Sequence, residues 1–351
     1  LIIDKNIFKE DIMNKLEMVK ESYRYLCFSI LGWDDPNKIV EDKPENEIYF
    51  SSPEFKKKLM KEVVDLRSKI NKTRFFENKD TSTNFNVYEI GDEVVFSFRG
   101  SDSAIDWIMD FTFFKAKFDK INKKNPHKGT EAYDIACFDQ YVKSCEGIVN
   151  DLAMTFRNSK LINSFRNYKI TPELITNLKE ESKNIIANLD LYKDKIYLHS
   201  GFVIQFNSIL NMLKSLVASY SRNPRFKKIT FTGHSLGSSL CRLATISTFL
   251  SNPKMYNKIK CYAFGTPRLG NKAFEEFISR AFNMYENKII TINTEKDFVK
   301  NLPPDGTGYA KIEDNICLIA KDKAPFETKF DHTLFYYLYL YKNGEIKWRK
   351  K

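Results

Sequence analysis

The chain has 351 residues, 42% of them hydrophobic, which is enough to fill a sizeable core. Its 56 Lys and Arg exceed its 45 Asp and Glu, giving a formal charge of +11, but the two signs alternate along the whole length and only the tail KWRKK (347–351) is a basic cluster. That pattern is a solvated surface with some inclination toward anionic lipid, and it argues against a nucleic-acid site.

Residues 1–80 carry apolar positions at mixed helical spacing between many charges, and are expected to form helices covering one side of a later core. At 85–99, two β-rich runs flank a Gly-Asp turn, predicting a hairpin whose second strand runs into FRGS. From Ser101 to His199 the chain has roughly a hundred residues of mainly helical patterning, far more than a strand connection needs. KIYLHS (195–200) is an expected strand, followed by a helix with Phe206, Ile209, Leu210, Leu213, Leu216, Val217 and Tyr220 on one buried face. Strands at 227–232, 258–264 and 288–294 then alternate with helices at 238–250 and near 271–282. Such alternation predicts an open, mostly parallel sheet with helices on both faces, whose ligands sit beyond the carboxyl ends of the strands. The expected organisation is one domain over 1–351: an N-terminal helical segment (1–80), a core from 85–118 and 195–342, and a helical insertion at 119–194.

Cys27, Cys137, Cys145, Cys241, Cys261 and Cys317 form no CxxC pair, so no metal site is expected. Cys241 and Cys261 fall in a core helix and a core strand, where reduced thiols fit better than disulfides and favour an intracellular setting. The longest apolar run, LFYYLYLY (334–341), is far short of the roughly 20 residues of a membrane span, so the expectation is a soluble chain with peripheral membrane contact at most. Since the sequence begins at Leu1, a preceding leader is left open, as is the oligomeric state.

The chemistry concentrates in FTGHSLGSSL (231–240). A β-run stands before Ser235 and an apolar helix after it, with Gly233 and Gly237 on either side: the setting of a nucleophile elbow, where a strained serine leaves no room for a neighbouring Cβ. The helix start beyond it directs free N–H groups at an anion forming on the serine. A serine nucleophile needs a base, usually a histidine held by a carboxylate. Of His127, His199, His234 and His332, only His332 follows Ser235 with room for an acid between them, the order of α/β-hydrolases. Asp297, directly after the strand KIITINT, is the first choice for the acid, and Asp305 is the second.

Taken together, VVFSFRGSDSAIDWIMDF (94–111), LHSGF (198–202), FTGHSLGSSL, AFGTPRLGN (263–271) and INTEKDFVKNLPP (292–304) before DHTLFYY resemble the class 3 lipase family, fungal triacylglycerol lipase-like α/β-hydrolases. The resemblance implies the triad Ser235, Asp297 and His332 within the elbow Gly233, His234 and Gly237. It adds an oxyanion hole from Leu236 and Ser101, a lid carrying Trp107 and Asp110, and structural roles for Arg99 and Arg268. Where the family usually has Gly and Pro, this chain has Ser238 and Lys300. The implied activity is hydrolysis of triacylglycerol or diacylglycerol at a membrane or droplet interface, through an acyl-enzyme and without a cofactor. Two alternatives stand beside it: a phospholipase A1, and a lipase-like scaffold without catalysis.

Overall fold

The computed structural model describes residues 5–32, 48–50, 53–79, 81, 83–100, 198–251, 253–283, 288–322, 326–328 and 332–348. The lid positions, Ser101 and the insertion at 119–194 lie outside them. In chain order the elements are α1 (Lys5–Leu31), β1 (Ile48–Phe50), α2 (Pro53–Ser68), β2 (Lys72–Asn78), β3 (Thr83–Ile90), β4 (Glu93–Phe98), α3 (Ser200–Arg222), β5 (Lys228–His234), α4 (Leu236–Ser251), β6 (Ile259–Phe264), α5 (Lys272–Asn283), β7 (Ile289–Thr294), β8 (Ile316–Ile319), β9 (Phe326–Thr328), α6 (Leu334–Asn343) and β10 (Glu345–Trp348).

Eight strands form one sheet in the order β10-β8-β7-β6-β5-β4-β3-β2, while β1 and β9 make a separate antiparallel pair. Strands β4 to β8 run parallel, and β2, β3 and β10 add antiparallel margins. This is the α/β-hydrolase architecture. Alternation along each strand divides the core in two. Val94, Phe96 and Phe98 of β4 and Cys261 and Ala263 of β6 face α3, α4 and α5. Val95, Tyr262 and Phe264 point the other way, into a layer built from α1, α2 and α6.

On α3, Phe206, Ile209, Leu213, Val217 and Tyr220 are buried. Among the described residues this helix is the one long and apolar enough to cross a membrane, and its apolar stripe lies in the core instead. The first 80 residues are not all helical: β1 and β2 lie among them. Lys72, Arg74 and Glu77 give β2 the composition of a solvated helix, but it forms the sheet margin, where charge is tolerated because one edge has no strand neighbour among the described residues. Of the strand expected over 195–200, residues 195–197 lie outside the described residues; Leu198 makes an isolated bridge with Gly270, His199 pairs its N–H with Leu269 O at 2.8 Å, and Ser200 already opens α3.

Helix α1 is fastened to the back of the sheet by polar contacts as well as packing. Ser29 Oγ lies 2.9 Å from Thr232 Oγ1, Ser97 Oγ donates to Phe28 O at 2.9 Å, and the Tyr25 ring stacks on Tyr262 at 4.3 Å. Glu93, buried at the start of β4, accepts from Arg24 at 2.7 Å and from Thr230 at 2.7 Å, and also from Tyr25. These bonds satisfy a carboxylate that would otherwise be costly to bury.

Candidate active site

Strands β4, β5, β6 and β7 end at one edge of the sheet, with Phe98 opposite Gly233, His234 opposite Phe264, and Phe264 opposite Ile292. The chain must turn from β5 into α4 within one residue, and Ser235 takes that turn at φ 57°, the sole non-glycine positive φ among the described residues. Ser235 N–H donates to Phe264 O at 3.0 Å, and Ser238 returns both its N–H, at 2.9 Å, and its hydroxyl to Ser235 O. The second of these bonds needs the side chain that replaces the family's usual glycine at 238. Crowding explains the flanking glycines: a Cβ on Gly233 would stand 2.2 Å from Gly237 O, and one on Gly237 2.2 Å from Phe98 O. The strain is the kind a tightly packed surround can hold in place.

Leu236 is the first residue of α4, so its N–H belongs to the unpaired first turn of a helix whose dipole favours an anion there. Ser101 is outside the described residues, but the strand leading to it, β4, ends at Phe98 against the elbow glycine.

Asp297 follows β7 and is fully buried. Its Oδ1 accepts the Val299 N–H at 2.8 Å, while its Oδ2 takes two donors, His332 Nδ1 at 2.8 Å and the Tyr337 hydroxyl at 2.6 Å. Burial by itself raises the carboxyl's pKa, but the His332 charge and the bonds from His332 and Tyr337 outweigh it and hold Asp297 below its ordinary value. Asp305 is 75% exposed and pairs with Arg268 at 2.8 Å and Lys311 at 3.7 Å rather than with His332. Among the described residues the buried histidine thus has one carboxylate partner, Asp297.

His332 is 5% exposed, just ahead of α6, whose N-cap Thr333 accepts the Tyr336 N–H. The His234 ring lies 4.4 Å from the His332 ring. Burial first, and the nearby His332 charge second, drive the His234 pKa well below its ordinary value, so His234 is neutral. Ser235 Oγ and His332 Nε2 are both buried without a hydrogen-bond partner among the described residues. A polar atom in that condition is costly unless something else engages it, and a serine and an imidazole nitrogen at one strand edge suit a proton transfer. His199 is elsewhere, its ring 4.3 Å from Phe202 and 5.5 Å from Tyr309.

Sequence reasoning missed Tyr337, the Val299 N–H and the role of Lys300. The ammonium of Lys300 donates to Thr294 O at 2.8 Å and Glu295 O at 2.9 Å, so it ties down the β7 end that presents Asp297. Tyr337 was hidden in an apolar run, although its place one helical turn beyond the N-cap Thr333 was available as a signal. Among the described residues no cluster of His, Cys, Asp and Glu could hold a metal ion. Cys241 and Cys261 are buried free thiols with sulfurs 3.5 Å apart.

Comparison with known proteins places this site in context. Residues 164–307 match the family model described as Lipase (class 3). The secreted mono- and diacylglycerol lipase LIP1 of Malassezia globosa is 29% identical over 129 residues, which cover 36% of this chain and 40% of that protein. A lipase of Rhizomucor miehei is 28% identical over 117 residues, 32% of this chain and 30% of the relative. The chain therefore spans two fifths or less of the length of these relatives. Among solved structures, the Rhizomucor miehei triacylglyceride lipase superposes with a TM-score of 0.45 at 15% identity, over 87% of this chain and 81% of that one. The Malassezia relative is named as secreted, whereas the buried thiols had favoured an intracellular setting.

Proposed function

We propose that the chain, whose residues 164–307 match the class 3 lipase family model, hydrolyses the carboxylic esters of acylglycerols by acyl-enzyme chemistry. His332 Nε2 takes the proton of Ser235 Oγ as that oxygen attacks the acyl carbon, and Asp297 holds the imidazole with Nδ1 protonated. The oxyanion is met by the Leu236 N–H and by Ser101. His332 then returns its proton to the departing alcohol, and water, activated in the same way, releases the fatty acid. Trp107 and Asp110 belong to a cover over the acyl-binding surface.

The observation that carries this reading is the left-handed Ser235 at the strand edge where His332 and Asp297 are paired at 2.8 Å. Diacylglycerol and triacylglycerol are the first substrates to test, since relatives are named for mono- and diacylglycerol. Ser235→Ala and His332→Ala are expected to abolish turnover of diolein in mixed micelles and labelling by a fluorophosphonate, with the fold retained by circular dichroism. Asp297→Asn should lower kcat by about 10⁴-fold, because the wrong tautomer of His332 is then favoured. Labelling that survives Ser235→Ala would remove the serine from the reaction, and no labelling of the wild type would favour the scaffold. Faster turnover of phosphatidylcholine than of diolein would move the substrate to phospholipid.

A further inference from the structure

Asp297 Oδ2 serves two donors at once, His332 Nδ1 and the Tyr337 hydroxyl, while Oδ1 is occupied by the Val299 N–H. A carboxylate oxygen shared in this way has its charge partly spent on the second donor, so it holds an imidazolium less strongly. We propose that Tyr337 is a positioning residue that, by sharing Asp297 Oδ2 with His332, weakens the hold of the aspartate on the charged imidazole and keeps His332 a free base at lower pH. The proposal rests on the reading of His332 and Asp297 as base and acid.

The tyrosine is fixed for this task. It is fully buried on α6, its ring meets His234 edge-on at 5.6 Å and Phe264 at 6.4 Å, and its oxygen accepts the Thr294 N–H at 3.3 Å. With that acceptor position filled, the hydroxyl proton points to Asp297. Burial first, and the Asp297 charge second, push the phenol's pKa well above its ordinary value, so it stays a donor. The other groups facing the pair among the described residues are His234, at the end of β5, and Asp314, ahead of β8, which feels the Asp297 charge and whose own charge acts on Tyr337. Burial raises the pKa of Asp314, which Asn293 and the charge of Lys300 partly offset. Neither His234 nor Asp314 donates to Oδ2.

The test is the pH titration of the His332 imidazole, followed through ¹³C-labelled Cε1 and assigned with His332→Asn, in the wild type and in Tyr337→Phe. Removing the hydroxyl returns charge to Oδ2 and stabilises the imidazolium. The midpoint should therefore rise by about half to one pH unit, and the acid limb of kcat/KM should move up with it. Replacing Tyr337 by 3,5-difluorotyrosine strengthens the donor, and should move both downward. An unchanged midpoint in the phenylalanine variant overturns the proposal, because a tyrosine that only fills space would lower kcat without moving it. Should that variant fail to fold, the fluorinated protein decides: a downward shift supports the proposal and none overturns it. The titration is read without turnover, so a protein that shows the shift yet cleaves no ester overturns the lipase reading alone.

Discussion

A methyl group on Gly265 would stand 2.8 Å from Cε1 and 3.0 Å from Nδ1 of His332, and 3.1 Å from Asp297 Oδ2, on a backbone whose φ of 56° already disfavours a side chain. The glycine at the end of β6 is thus the wall against which the pair is set. In Gly265→Ala either the imidazole or the carboxylate must shift, and a displacement of one ångström in such a site costs about 10²-fold in rate. The expected result is a fall of that order in kcat on a soluble p-nitrophenyl ester with little change in KM, and a variant with wild-type kcat would show that the pair tolerates displacement. Sequence pattern reached Ser235, Gly233 and Gly237 because a strand, a turn and a helix meet there within a few residues. Gly265 and Tyr337 escaped it: their importance comes from atoms brought together across three strand ends, and no local spacing records that.

Among the elements, α6 does most to present the base. Its N-cap Thr333 adjoins His332 and accepts the Tyr336 N–H at 3.3 Å, while Leu334, Tyr336, Tyr337, Leu338, Tyr339 and Leu340 are buried. Losing such a cap costs about 1 kcal/mol. Thr333→Ala should lower the denaturation midpoint accordingly and loosen the turn that carries His332, so that kcat falls with KM unchanged; equal stability in a urea titration would show that the cap is not needed. The parallel strands β4 to β7 and the helices α3 to α5 were legible because each is long enough for its pattern to register. By contrast β8 and β10 have four residues each, too few for alternation to register, and β10 draws its place from the Glu345 to Trp348 pairing with Ile319 to Ile316. A run of alternating tyrosine and leucine likewise announces an apolar segment without saying that it will be a helix bearing the partner of a catalytic carboxylate.

At the scale of the whole molecule, the formal charge of +11 matters where an enzyme meets a surface. Cationic residues gain about 1 kcal/mol each close to an anionic bilayer, and salt removes that gain. If the chain works on acylglycerol at an interface, vesicles doped with phosphatidylserine should raise turnover of embedded diolein over neutral vesicles, and 0.5 M NaCl should abolish the difference. Trp107→Ala, in the proposed cover, should reduce the gain on micelles more than hydrolysis of a soluble short-chain ester. Turnover rising smoothly through the critical micelle concentration and indifferent to both changes would confine the enzyme to dissolved esters.

The attachment of α1 to the back of the sheet sets a boundary on how this protein can be shortened. Tyr25, Leu26 and Phe28 share one core layer with Tyr88, Val95, Tyr262 and Phe264, and the Ser29, Tyr25 and Arg24 bonds anchor the helix across β4 and β5. A product starting after Leu31, whether made by a protease or by a cloning choice, would keep every proposed catalytic residue and still present a broad oily wall to water. Such a fragment would be recovered as inclusion bodies rather than as a smaller enzyme, and adding back the helix as a separate peptide is the remedy the missing wall suggests.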